Sequence, residues 1–161
     1  MDVGAGEYTR QYFSSERYNI FEPSSRSHNV PIIDGTYQFV SAEAAASDVS
    51  YEKGRFSMDI VGAYHTDSVK SIRRTFEMDD DKVVMTDTYV ADESASVVER
   101  FVTYTEPHVV GDGVIEIGEC RFTYSGECEL NINTENTSSG VCYLIDFTLL
   151  GKDKEIKIVM E

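Results

Sequence analysis

The side chains of this sequence that could do chemistry match few of the spacings that known sites require. Gly4 and Gly6 open like a phosphate-binding loop, but no third glycine and no Lys-Ser or Lys-Thr pair follows at the needed place. His65 and His108 have no cysteine or carboxylate at metal-ligand spacing, which favours solvated histidines. The three aspartates at 79–81 lack the spaced ligands of an EF-hand and are typical of an acidic hairpin tip.

One charged pair follows from strand register. If residues 79–82 form a hairpin loop, antiparallel pairing places Arg74 opposite Asp87 in the middle of an apolar face. Such a pair is tolerated there when the two groups are bonded to each other. We interpret Arg74 and Asp87 as a structural ion pair, with a functional carboxylate–guanidinium site as the alternative. The same register gives three further pairs of matching character: Met78 with Val83, Phe76 with Met85, and Ile72 with Tyr89.

Alternation of apolar and polar residues predicts the elements that must position these groups. The fold class that it indicates is all-β, an antiparallel β-sandwich of many short strands in two packed sheets, with little or no helix. Residues 141–150 are apolar on both faces apart from Asp146 and Thr148, which predicts a central strand that is covered on both sides. The stretch with helical character, Ala42–Ser47, is too short for more than a turn or two. The predicted strands are 56–60, 71–78, 82–90, 96–104, 114–118, 121–125, 128–133, 141–150 and 155–161.

Length and composition limit the number of domains and the classes of partner. With 161 residues, 41% of them hydrophobic, the chain fits one domain over 1–161, with an irregular segment at 1–35 and a meander of strands at 36–161. A net charge of −15 argues against nucleic acid and anionic membranes as partners. No apolar run approaches the ~18 residues that a membrane helix needs. The odd number of cysteines, without Cys-x-x-Cys spacing, predicts free thiols.

The first 35 residues differ from the rest in pattern and charge. They do not alternate cleanly, and they carry clustered tyrosine, arginine and serine. Five acidic residues face three basic ones there, so this segment is nearly neutral within a strongly acidic chain. It is therefore the part of the chain least unfavourable to an anionic ligand.

Two runs in this segment resemble a known family. Residues 2–10 read D-V-G-A-G-E-Y-T-R, and residues 25–35 read S-R-S-H-N-V-P-I-I-D-G. Together they resemble the C-terminal region of the heparinase II/III family of polysaccharide lyases. In that family an Asp-x-Gly, an aromatic stretch and a Ser-x-x-His-Asn recur in this order before an apolar strand that ends in Asp-Gly. Arg74 in a strand, followed by the valine-rich strand at 83–87, is similar too.

The resemblance implies a two-part enzyme that cleaves uronic-acid polysaccharides by β-elimination. An upstream helical toroid would supply most of the active site, and a β-sandwich would close over the cleft. This chain would then be a fragment, inactive alone, of a periplasmic or secreted parent whose export signal lies outside it. We assign no catalytic residue here. Tyr8 and Asn29 are the cleft or substrate-binding candidates, with a packed aromatic as the alternative for Tyr8.

The resemblance also implies a metal site in the parent. In some members of the family the Asp of the Asp-x-Gly and the His of the His-Asn bind a divalent metal with an upstream histidine. Those positions correspond to Asp2 and His28, and their ligand atoms suit zinc. Since two ligands bind poorly, we expect no metal in the fragment, where His28 would be a hydrogen-bonded structural residue.

A second hypothesis comes from another class of protein. The chain could be a non-catalytic carbohydrate-binding or structural β-sandwich module, with a neutral glycan as the expected ligand. This hypothesis predicts exposed aromatic rings at Tyr12, Phe13 and Tyr18. Burial of these rings would remove its basis.

Overall fold

Turn-forming residues divide the chain into short strands that pair as neighbours. The computed structural model describes residues 3–161, and every strand pairing within them is antiparallel. Short 3-10 turns lie at Arg17–Asn19, Ser25–Ser27 and Val61–Ala63. The strands are β1 (Ile32–Ile33), β2 (Ser47–Glu52), β3 (Arg55–Asp59), β4 (Val69–Asp79), β5 (Lys82–Ala91), β6 (Val97–Thr103), β7 (Pro107–Gly111), β8 (Val114–Ile117), β9 (Cys120–Ser125), β10 (Cys128–Thr137), β11 (Gly140–Leu149) and β12 (Glu155–Met160).

The strands form two sheets of unequal width. The smaller sheet has the order β1-β6-β11-β10, and the larger has the order β2-β3-β4-β5-β12-β9-β8-β7. Both sheets contribute to one apolar core. Phe147 of β11 is fully buried there, and its ring contacts Phe101 of β6 and Tyr124 of β9, which lies in the larger sheet. The predicted fold class, an antiparallel β-sandwich, is therefore confirmed.

The hairpin of β4 and β5 has the predicted register. Met78 pairs with Val83, Phe76 with Met85, Arg74 with Asp87 and Ile72 with Tyr89. Asp79 pairs with Lys82, so residues 80–81 alone form the turn. Strand β11 is buried on both faces over most of its length, as its composition predicts.

Other local predictions were wrong. Residues 42–47 form a turn and then enter β2, and no helix is found there. Strands β2 and β7 were not predicted because their side chains do not alternate: all six residues of β2 are exposed, and so are all residues of β7 after Pro107. His108 lies in strand β7 and is exposed, in agreement with a solvated histidine.

The edges of the larger sheet are irregular. Asp48 in β2 has a left-handed backbone, with φ of 47°, and the register of β2 against β3 shifts between Ser47 and Ser50. At the other edge β7 begins with a proline and shifts register between Val109 and Gly111. Such bulges interrupt the regular hydrogen-bonding of an edge strand.

Two further sequence predictions concern cysteines and membrane spans. Cys120, Cys128 and Cys142 are free thiols, and burial raises the pKa of the Cys142 thiol. Among residues 3–161, no helical segment has the length and apolar character needed to span a bilayer.

We predict that Phe147→Ala lowers the free energy of unfolding by about 3–5 kcal/mol, because it leaves a cavity between rings from both sheets. Val141→Ala in the same strand is the matched control. Val141 is 44% exposed, so its truncation should cost under about 0.5 kcal/mol. Urea denaturation followed by fluorescence measures both, and equal losses would contradict this description of the core.

Candidate functional site

The irregular segment before β1 covers the outer face of the smaller sheet. Val3 and Phe21 of this segment pack against side chains that point away from the main core, namely Val102 and Tyr104 from the β6 side and Cys142 and Leu144 from β11. Further along, Glu22 is buried and accepts hydrogen bonds from the backbone and hydroxyl of Ser138 in the β10–β11 turn. The segment that carries the family-like motifs is thus folded against the sandwich.

Buried side chains of the sheets, and of the turn between β3 and β4, hold the backbone of this segment. The Arg100 guanidinium donates to the carbonyl of Arg26 at 3.3 Å, and Arg74 donates to the carbonyl of Asn29 at 2.7 Å. The Tyr64 hydroxyl donates to the Pro31 carbonyl at 2.6 Å. These donors take the place of a regular strand partner, because β1 pairs with only two residues of β6.

Asn29 reinforces this attachment with its side chain. Its Oδ1 accepts a hydrogen bond from the backbone N–H of Val102 at 2.9 Å. The Asn29 side chain therefore bonds to β6 outside the short stretch of β6 that pairs with β1. This contact holds the loop at Asn29 against β6.

Arg74 is the centre of a buried polar network. Its Nε donates to Asp87 Oδ1 at 2.9 Å, and its Nη2 donates to Asp87 and to Glu99 Oε1, the latter at 2.7 Å. The hydroxyl of Tyr89 donates to the other oxygen of Glu99 at 2.6 Å. Asp87 and Glu99 are fully buried, so one guanidinium is shared by two carboxylates inside the core.

Burial and mutual repulsion control protonation in this network. Burial raises the pKa of Glu99 well above its usual range; Arg74 opposes the shift, and the nearby Asp87 carboxylate adds to it. Burial also raises the pKa of Tyr89, which keeps its hydroxyl a donor. A proton on Glu99 leaves one carboxylate against one guanidinium, which is the arrangement a low-dielectric core tolerates.

A second charge pair lies on the opposite face of the smaller sheet. Arg100 and Asp146 stand opposite each other on β6 and β11, with two hydrogen bonds of 2.7 Å between them. The pair is largely buried under the irregular segment, where Arg100 also reaches Arg26. Both buried arginines therefore combine a carboxylate partner with a backbone carbonyl of the segment.

His28 lies at an open notch on the irregular segment. The notch has a volume of about 320 Å³ and is also lined by Gly4, Arg17 and Glu22. Asp2, the predicted partner of His28, lies outside the described residues. Within residues 3–161 no group of three His, Cys, Asp or Glu side chains could hold a metal ion. The described residues alone therefore do not make a zinc site.

Aromatic rings adjoin this notch through Arg17. The Arg17 guanidinium lies 4.2 Å from the centre of the Tyr12 ring and donates to the Tyr12 hydroxyl. Tyr12 is buried, whereas Tyr8 and Phe13, which contact it, are 72% and 76% exposed. Tyr18 is 42% exposed. The structure thus exposes Phe13 and Tyr18 of the three expected rings, adds Tyr8, and buries Tyr12.

Glu99, Tyr89, Arg100 and Asp146 were not singled out as site residues from the sequence. A usable signal existed for Glu99, because it shares the alternating face of Val97 and Phe101 and so had to be buried. The adjacent Arg100 obscured this signal, since two neighbouring charges resemble a solvated stretch. Asp146 also offered a usable signal, because it is a charged residue within an otherwise apolar strand.

The fold and the attached segment define an antiparallel β-sandwich of two sheets. No protein-family profile matches the sequence, and no curated protein matches it. Among solved structures, the chain is similar to the Heparinase III-BT4657 gene product, with a TM-score of 0.67 and 13% identity over 98% of this chain. The lysine-methylated form of that protein gives the same values. This chain covers 27% of that structure, and at this identity the similarity shows a shared fold.

We predict that Arg74→Met destabilises the chain by about 3–5 kcal/mol, because it leaves two buried carboxyl groups without their cation. Arg55→Met is the control, since Arg55 and Glu77 form an exposed pair worth under about 1 kcal/mol. Urea denaturation measures both. If Arg74→Met were as mild as Arg55→Met, the network would not be holding the fold.

The second prediction concerns pH. The pKa of Glu99 is raised in the folded chain. The folded state therefore keeps a proton that the unfolded state releases near the ordinary glutamate pKa of about 4.3. The free energy of unfolding should therefore fall as pH rises above this value, until Glu99 ionises in the folded state. Glu99→Gln should remove this contribution, which is at most about 1.4 kcal/mol per pH unit.

Urea denaturation of both proteins at a series of pH values tests this prediction. Groups that titrate elsewhere contribute equally to both proteins, so the informative quantity is the difference between the two profiles. Profiles that run parallel from pH 4 upward would show that Glu99 is ionised in the folded chain.

Proposed function

We propose that this chain is the β-sandwich domain of a heparinase II/III-like polysaccharide lyase. The observation that carries the proposal is the similarity to heparinase III over 98% of the chain, irregular segment included, although the chain covers about a quarter of that structure. The parent would cleave uronic-acid polysaccharides by β-elimination. In this reaction a base removes the proton beside the uronate carboxylate while an acid protonates the departing sugar oxygen.

The role of this domain would be to shape one wall of the cleft. The notch at His28 and the exposed Tyr8 and Phe13 lie on the motif-bearing segment, whose backbone is held by Arg74 and Arg100. The helical toroid expected upstream would supply the catalytic base and acid. A divalent metal shared by Asp2 and His28 belongs to the parent in this proposal and needs donors beyond those described.

The activity test compares two polypeptides on heparin, heparan sulfate and alginate. We expect the chain alone to give no increase in the ultraviolet absorbance of unsaturated uronate, and a longer polypeptide that includes the upstream helical region to give a clear increase on one substrate. Turnover by the chain alone would contradict the division of labour proposed here. Absence of turnover by the longer polypeptide on every uronate polymer would contradict the lyase assignment.

A non-catalytic glycan-binding role is the second candidate, and the exposed aromatic rings favour it. Tyr8 and Phe13 lie with ring centres 5.9 Å apart, and both rings are mostly open to solvent. Large rings exposed in this way mark interaction sites more often than isolated aliphatic side chains do. Stacking of a sugar ring on them would serve either a lyase domain or an independent binding module.

We predict that Tyr8→Ala combined with Phe13→Ala weakens binding of a neutral or uronate oligosaccharide by about tenfold, or about 1.4 kcal/mol. Tyr51→Ala is the control, because Tyr51 is 71% exposed but lies on the edge strand β2. Isothermal titration calorimetry measures the affinities. Equal effects of both changes, or no binding by the unaltered chain, would exclude the stacking role.

A further inference from the structure

An apolar cavity of about 400 Å³ lies between the two sheets, apart from the notch at His28. Its floor includes the buried side chains of Met85 and Phe101, and half-buried Phe122 and Met160 also line it. Since half-buried residues contribute to the lining, the cavity reaches the surface. The cavity is much larger than the ~150 Å³ apolar cavity that is known to bind benzene, and it lies within the range of ~300–1,000 Å³ of small-molecule sites.

The charged end of this cavity has no free binding capacity. Arg74 lies there, and each of its three guanidinium nitrogens already donates to Asp87, Glu99 or the carbonyl of Asn29. An occupant would therefore gain mainly apolar contact and no ion pair.

The charges around the cavity decide the class of occupant. Two carboxyl groups share the single guanidinium at its polar end, so an anionic ligand such as a fatty acid would find no unneutralised cation. Phenylalanine rings and methionine sulfurs favour a flat, uncharged and polarisable molecule. We propose that this cavity binds small neutral aromatic compounds, a property that does not rest on the proposed lyase function.

Methionine methyl groups report on this site directly. The chain labelled at its methionine methyl groups is titrated with indole and, separately, with indole-3-carboxylate, and NMR spectra are recorded. We expect saturable shifts of Met85 and Met160 with indole, and no shifts of Met58 and Met78, which do not line the cavity. Indole-3-carboxylate should bind at least about tenfold more weakly, since its charge has no partner.

A filling substitution separates this site from non-specific binding. Cys120 lines the cavity, so Cys120→Phe should weaken indole binding by about tenfold or more. Val109→Phe adds the same ring at an exposed position outside the cavity and should leave binding unchanged. The proposal is overturned by shifts of Met58 and Met78 as large as those of Met85 and Met160, by no shift at the solubility limit of indole, or by unchanged binding in Cys120→Phe. Shifts of Met85 and Met160 that depend on protein concentration without ligand would also overturn it, because a second copy would then fill the cavity.

Discussion

The backbone of residues 26–31 has almost no strand partner, and its attachment depends on side-chain donors from the sheets and from the turn between β3 and β4. Arg100, Arg74 and Tyr64 donate to the carbonyls of residues 26, 29 and 31. The Asn29 side chain in turn accepts a hydrogen bond from the backbone of β6. Backbone groups buried without such partners would cost free energy comparable to a lost hydrogen bond each. These contacts therefore position residues 26–31, and with them His28 and Asn29.

The same contacts explain why charged groups occur inside an apolar core. A buried ion pair is weak evidence for stability, because desolvation offsets most of the attraction. Here Arg74 connects β4, β5 and β6 with the carbonyl of Asn29, so its directed hydrogen bonds specify one arrangement of these four parts. We interpret the network as a device for specificity, in which the raised pKa of Glu99 disfavours a second buried negative charge.

Much of the fold could be predicted from the sequence, and the reason is periodicity. The β4–β5 register was predictable because a one-residue slip would place Arg74 opposite Thr86 or Thr88 and leave it without a carboxylate partner. Strand β2 was not, since a strand exposed on both faces leaves no alternation to detect. For the candidate site, Arg74 with Asp87 could be inferred from one hairpin, whereas Glu99 and the donors to residues 26–31 come from distant strands. Such long-range contacts depend on sheet order, which local pattern does not determine.

The irregular edge strands of the larger sheet have a consequence for association. A regular, flat edge offers unpaired backbone groups on which another chain can add a strand, and this is a common route to fibres. The left-handed Asp48 with the register shift at one margin, and Pro107 with the register shift at the other, make both margins of the larger sheet poor templates. Addition of a strand from another polypeptide is thereby disfavoured at these two margins.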